Sequence, residues 1–420
     1  MAGVGLRSLL ANRRYAFYVA SRVSLIIAVQ MLSVAVGWQV YEITGKALAL
    51  GLSGLALFLP GFLLALPGGH VADQHDRRRI LLVCHLGVVL CAASLAAMAH
   101  EPTRAMIFGA GRPPGLIPIY AVLGLLGTIR AFSGPAGQAL MPGLVPRDQL
   151  ERAVALGSST WQLAMIAGPS IGGALYAATG RASVVYAACS VMGLVAFASV
   201  IGIGRGPVST DVKKREPPSW STLLAGIRYV WSNKPILGAI SLDLFAVLLG
   251  GAVALLPIFA RDLLHSGPWG LGILRSAPAI GAAAVALLLA RFPIRQRAGV
   301  LMFACVMIFG IGTIVFGLSQ SFALSLIALL VMGASDMISV VIRSTLIQTR
   351  TPDEMRGRVA AVNVVFIGAS NELGEFESGV TAEWLGPKVA VLVGGIGTCI
   401  VVLVWATLFK ELRDVNRLDE

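Results

Sequence analysis

Apolar runs of roughly 20 residues recur from one end of the chain to the other, separated by short stretches where charge, proline and glycine gather. Each run is long enough to cross the ~30 Å hydrocarbon core of a bilayer as a helix. They fall near 16–43, 47–68, 80–99, 116–141, 154–178 and 182–204, then near 235–262, 268–291, 298–318, 321–348, 358–385 and 387–409. The pattern predicts an all-α membrane protein with twelve transmembrane helices in two pseudo-symmetric six-helix bundles. Runs such as Ser183 to Ile203 do not alternate apolar and polar residues with period two, which argues against a β-barrel.

Between the two sets lies one linker, 205–234, with Lys213, Lys214, Arg215, Pro217 and Pro218. Its later part, 219–233, places Trp220, Leu223, Leu224, Ile227, Tyr229, Val230 and Trp231 beside Arg228, a composition suited to an amphipathic helix in the headgroup region. The expected organisation is therefore 1–204 as one bundle, 205–234 as a cytoplasmic linker, and 235–420 as a second bundle with a short cytoplasmic tail.

The two sets repeat. The segment from Val145 to Arg152 matches Thr351 to Arg358, and the same register pairs Gly168 with Gly374, Gly173 with Gly379 and Gly180 with Gly386. Glycine matches arise easily by chance; one register kept through a loop, a helix and the next turn does not. Parallel six-helix repeats imply a transporter with a central site working by alternating access.

Charges inside the spans sharpen this expectation, because an ionised group at bilayer depth costs at least about 2.5 kcal/mol and should face a wet cavity or a partner. Counting helices in threes, the first members carry Arg22, Arg130, Asp243, Asp336 and Arg343. The second members carry Arg275, Glu372, Glu375 and Glu377. The third members carry none, as expected if first helices line a cavity, second helices line a seam and third helices face lipid. The substrate-cavity candidates are Arg22, Gln30, Arg130, Asp243, Asp336 and Arg343, with Trp38 a further lining candidate. Arg22 and Arg343 have an alternative, snorkelling to the headgroups. Asp336 lies too deep for that and is expected to line the cavity or to pair with Arg130 or Arg343. Glu372 and Glu375, one turn apart, form the candidate proton-coupling pair, since neighbouring carboxyls can hold a proton between them; a permanent pairing with Arg22, Arg130 or Arg275 is the alternative.

Composition agrees. Hydrophobic residues make up 56% of the 420 and charged residues 13%, with a mean hydropathy of +0.81, so water is not the main solvent of this surface. The net charge of +12 comes from short basic clusters between apolar runs, which reads as membrane topology rather than nucleic-acid binding. Most of the Lys and Arg fall on the side carrying both termini, whereas the opposite loops hold Lys46, Arg104, Arg112, Arg181, Arg261 and Lys388. This bias orients both termini toward the cytoplasm. Arg7, Arg13 and Arg14 precede a first apolar segment too long for a signal-peptide core, so it is expected to remain as helix one. Cys84, Cys91, Cys189, Cys305 and Cys399 all sit inside apolar runs without metal-binding spacing, so neither disulfides, a metal nor a cofactor is expected. No HExxH and no phosphate-binding loop appears, which argues against an enzyme or an ATP-driven pump.

Two motifs carry a family resemblance. Residues 69–79, with Gly69, Asp73, Arg77 and Arg78, resemble the signature loop of major facilitator superfamily transporters, with Gln74 in place of a basic residue and Asp76 in place of a glycine. By resemblance, Asp73 and Arg77 belong to a charge relay with Arg356 and Arg358 that latches the cytoplasmic side. In helix five, Gly168, Pro169, Gly172 and Gly173 are similar to the GPxxGG element of antiporter-type members. Nearly the whole chain looks like the enterobactin-exporter group, including 224–229 and 345–352. The resemblance implies a monomeric, proton-coupled exporter of a siderophore or amphipathic drug-like molecule in a bacterial inner membrane. A lipid or lysolipid flippase, or an importer on the same scaffold, is the alternative; a membrane-bound enzyme or channel is more remote.

Overall fold

The computed structural model describes residues 9, 11–108, 115–204, 220–294 and 296–417. Arg7 and the basic and proline-rich part of the linker at 213–218 lie outside them. Among the described residues twelve long helical elements appear in the expected order. They are α1 (Arg13–Thr44), α2 (Ala47–Leu63, then Ala65–Gln74), α3 (Arg77–Ala99), α4 (Leu116–Leu140), α5 (Leu150–Thr179) and α6 (Ala182–Gly202). The second set is α7 (Lys234–Leu249), α8 (Gly267–Arg291), α9 (Ala298–Leu318), α10 (Phe322–Arg350), α11 (Asp353–Leu385) and α12 (Pro387–Leu408). Among the described residues nine helical segments, α7 being counted on through Leu263, are long and apolar enough to cross a membrane, and the bent pair forming α2 makes a tenth. The remaining two, α5 and α11, carry charged residues in their first turns, and α11 also carries Glu372, Glu375, Glu377 and Glu383 further along.

Prolines and glycines mark the departures from straight helix. The two parts of α2 meet at 48°. Pro67, in the second part, cannot donate to the carbonyl of Leu63 and crowds it, which places the break at Leu64. The run 235–262 is not one helix: after Gly250 and Gly251 it passes through 3₁₀ and short α turns, with Pro257 inside, into a π turn at Phe259–Leu263. The repeat is visible in the backbone, because α5 and α11 end at Gly180 and Gly386, both at positive φ (65° and 84°), a conformation that a side chain disfavours. At their other ends Pro146 and Pro352 occupy matching extended conformations ahead of the helices.

The chain divides into two compact units, Met1–Gln39 with Ala56–Pro218, and Val40–Leu55 with Ser219–Glu420. In the first, backbones approach closely where glycine removes a side chain. A Cβ on Gly127 would strike the carbonyl of Leu57, and one on Gly68 the carbonyl of Ala131, so α2 and α4 are held in contact. The units also share a packing rule: α5 meets α1 at Gly168, and α11 meets α7 at the equivalent Gly374, whose added Cβ would lie 2.9 Å from the carbonyls of Val247 and Leu248. In the second unit Gly51 lies against Gly379, which joins the start of α2 to α11.

The amphipathic helix forms at Trp220–Ser232. It packs within the second unit: Val230 joins a cluster with Ile347, Val359 and Val362, and the Tyr229 hydroxyl donates to the carbonyl of Arg350 at 3.0 Å. Leu224 and Trp231 remain exposed on its other face. Cys84, Cys91, Cys189 and Cys305 are buried and Cys399 is half-buried, all as free thiols.

Candidate functional site

In the first unit α1 is pinned by its tyrosines. Tyr15 donates to the carbonyl of Ala153 at 2.7 Å and Tyr18 to that of Gly137 at 3.0 Å, tying α1 to α5 and α4. One turn further, the Arg22 guanidinium donates through Nη1 to the Tyr18 hydroxyl at 3.2 Å and lies 5.9 Å from that ring's centroid. It borders a cavity of about 170 Å³ whose polar lining is Tyr18, Ser21, Arg22, His85, Ser133 and Gln138. Leu25, Leu81, Trp161 and Val200 supply apolar wall. His85 is 3% exposed and its Nδ1 has no hydrogen-bond partner among the described residues. The sequence reading passed over it, because it assigned α3 and α6 to lipid. Their exposed faces, with Val83, Leu90 and Ile201, suit lipid, while Leu81, His85 and Val200 line this cavity. A lone histidine within an apolar span was the available signal.

Gln30 sits on the α1–α5 seam. Added Cβ atoms on Gly168 and Gly172 would lie 2.5 Å from the Gln30 Cβ and 2.9 Å from the Met31 Cα, so these two glycines let the helices touch. The Gln30 amide donates to the Met165 sulfur at 3.0 Å. Pro169 and Gly173 are buried within the same helix, which runs on through the proline. Trp38 packs against Tyr176 with ring centroids 6.2 Å apart. Arg130 lies on an exposed face of α4.

The signature segment is mostly helical: Gly69 to Gln74 complete α2 and only His75 and Asp76 lie between helices. Asp76, one of the two departures from the family pattern, caps α3 by accepting from the Arg78 backbone N–H at 2.9 Å. Arg78 donates to the carbonyls of Val200 and Ile201 at 3.1 and 3.0 Å, fastening the segment to the end of α6. Asp73 is exposed and Arg77 half-buried.

In the second unit Arg343 of α10 is ion-paired with Asp243 of α7, both buried. Arg343 is 2% exposed, so it does not snorkel, and it takes Asp243 rather than Asp336. Desolvating two charges is offset only by close pairing, which this contact supplies. Asp336 shares with Asp243 and Ser339 a cleft of about 10 Å³, room for roughly one water. Arg275 is half-buried on α8.

Glu372 and Glu375 converge. A Cβ on Gly54 would lie 3.0 Å from one Glu375 carboxylate oxygen and 3.8 Å from one of Glu372, so both acids reach the same spot beside α2. Glu377 is held locally, accepting from the Thr381 hydroxyl at 2.7 Å. Where α1 ends, the Tyr41 hydroxyl donates to Asp262, and Arg261 lies 3.8 Å from that carboxylate and 5.5 Å from the Tyr41 ring centroid. Sequence gave no sign of this cluster, since it needs the π turn to bring Asp262 to Tyr41. No group of metal ligands occurs among the described residues.

The fold matches solved transporters. A nucleoside transporter, NupG, superposes with a TM-score of 0.67 at 14% identity, covering 94% of this chain and 99% of its own. A bacterial homologue of the iron transporter ferroportin gives 0.68 at 15%, covering 96% and 99%. Among relatives by sequence, the enterobactin exporter EntS of Citrobacter koseri is 29% identical over 394 residues, 92% of this chain and 90% of that protein. EntS of Shigella boydii is 27% identical over 393 residues, with the same coverage. The profile of the major facilitator family described as transmembrane secretion effector matches residues 10–420. A profile match over nearly the whole chain, with twelve helices and an internal repeat, places this multi-pass membrane transporter in the transmembrane secretion effector family of the major facilitator superfamily.

Proposed function

We propose that the chain is a proton-coupled secondary exporter of a siderophore or amphipathic drug-like molecule, working by alternating access as a monomer in a bacterial inner membrane. Both termini lie on the cytoplasmic side in this reading, as the distribution of basic residues favours. The observation that carries it is the convergence of Glu372 and Glu375 beside Gly54. Two carboxyls sharing one site inside a span form a place where a proton can be taken up and released. Arg22, Gln30, Arg130, Asp243 and Asp336 are the substrate-contacting residues in this reading, with Arg343 holding Asp243. Asp73 and Arg77 act in the cytoplasmic latch, which Gly69, Arg78 and the Asp76 cap keep in shape. Residues 1–204 and 235–420 are the two moving bundles.

The similarity to enterobactin exporters over 92% of the chain supports export and a siderophore cargo. The test is secretion by a strain lacking its own siderophore exporter. Restored enterobactin in the medium, or restored growth against a drug panel, is expected from the full chain. No restoration by a chain that reaches the membrane would reject the reading.

A further inference from the structure

We infer that the cavity of the first unit beside Arg22 and His85 is a binding site for a single-ring aryl carboxylate. The inference goes beyond the export reading, because it concerns equilibrium binding without any gradient and stands or falls separately from coupling. Charge selects an anion. Arg22 brings a permanent positive charge into a lining that contains no carboxylate. Among the described residues no acid lies within ion-pairing distance of it, and its one hydrogen bond uses a single N–H of the five a guanidinium offers. An arginine left this way in a half-enclosed apolar setting favours an anion, and its planar fork fits a carboxylate.

A buried polar group with nothing to bond faces the same space. His85 is almost wholly buried, lines the same cavity and leaves Nδ1 without a partner. A buried polar atom without a partner costs about 1–3 kcal/mol, which a ligand oxygen or its bound water would relieve. Ser21, Ser133 and Gln138 add neutral hydrogen-bonding groups around the same space.

Size and wall composition select the body of the ligand. About 170 Å³ is below the ~300–1,000 Å³ of pockets that take drug-sized molecules, so one ring fits and a long chain does not. Tyr18 and Trp161 offer aromatic faces, and Leu25, Ile26 and Leu81 close the apolar side. The cavity reaches the exposed positions Gly134, Gln138 and Trp161, so it has a mouth. Gly134 matters for the test: a Cβ there meets nothing within 4 Å, so a larger side chain can occupy the mouth without displacing backbone.

The experiment is equilibrium dialysis of labelled benzoate against the purified full chain in nanodiscs, with benzamide, benzylammonium and octanoate as competitors. Saturable benzoate binding is expected, displaced by unlabelled benzoate and at least about tenfold less well by the other three. Arg22→Gln should weaken binding by about tenfold or more, the loss of one charge-assisted pair. Gly134→Leu should abolish it while leaving the unfolding temperature and gel-filtration profile of the parent, which separates a blocked site from a misfolded chain. The proposal is overturned if the parent shows no saturable binding, if benzamide or octanoate competes as well as benzoate, or if a folded Gly134→Leu chain binds like the parent.

Discussion

Arg343 and Asp243, a hundred residues apart in sequence and on different helices, form a buried ion pair in the second unit. Removing one partner leaves the other as an uncompensated buried charge, which typically costs about 3–5 kcal/mol. Asp243→Leu and Arg343→Met are each expected to lower the unfolding temperature sharply. The double variant should recover most of that loss, because an apolar pair of similar volume has no charge to desolvate. A thermal-unfolding series on the parent, both single variants and the double variant checks this; additive losses in the double would contradict the pairing.

Two glycines of α5 should respond in opposite ways. At Gly172 an added Cβ would lie 2.9 Å from the Met31 backbone, so Gly172→Val should force α5 from α1 and destabilise by roughly 1–3 kcal/mol. At Gly157 nothing lies within 4 Å. Gly157→Ala should be neutral or stabilising, since alanine is favoured over glycine within a helix by up to about 1 kcal/mol. Unfolding temperatures of the two variants decide it.

Asp76 is a helix cap, and this gives a graded expectation. Asp76→Ala should lose about 1 kcal/mol, whereas Asp76→Gly, which restores the residue of the family pattern, should lose only a few tenths. Hydrogen exchange at the Arg78 amide, the proton that Asp76 accepts, should speed up more in the alanine variant. Exchange as slow in the alanine variant as in the parent would show that the carboxylate does not cap the helix.

Helix number and order were legible in the sequence, because a spanning helix must be apolar for most of its length. The repeat was legible too, and it reappears in Gly180 and Gly386 at positive φ and in the matched close contacts of Gly168 and Gly374. The convergence of Glu372 and Glu375 followed from their spacing of one turn. What depends on contacts between distant helices was not legible: the cost of a charge at bilayer depth points Asp243 to a wet cavity or a partner and Arg343 to a cavity or the headgroups, but cannot say that the two meet. His85 was missed because a neutral side chain leaves the charge pattern of α3 untouched. The break after Gly250 was missed because its turns are as apolar as the helix before them.

Proton coupling, in the proposed function, falls to the α11 carboxyls. Its direct measurement is enterobactin accumulation in inverted proteoliposomes with an acidic interior, for the parent and for Glu372→Gln and Glu375→Gln. Accumulation that depends on the proton gradient in the parent, and that loses this dependence in at least one variant while gradient-independent exchange persists, is the predicted result. Accumulation that responds to the gradient equally in the parent and both variants would contradict it.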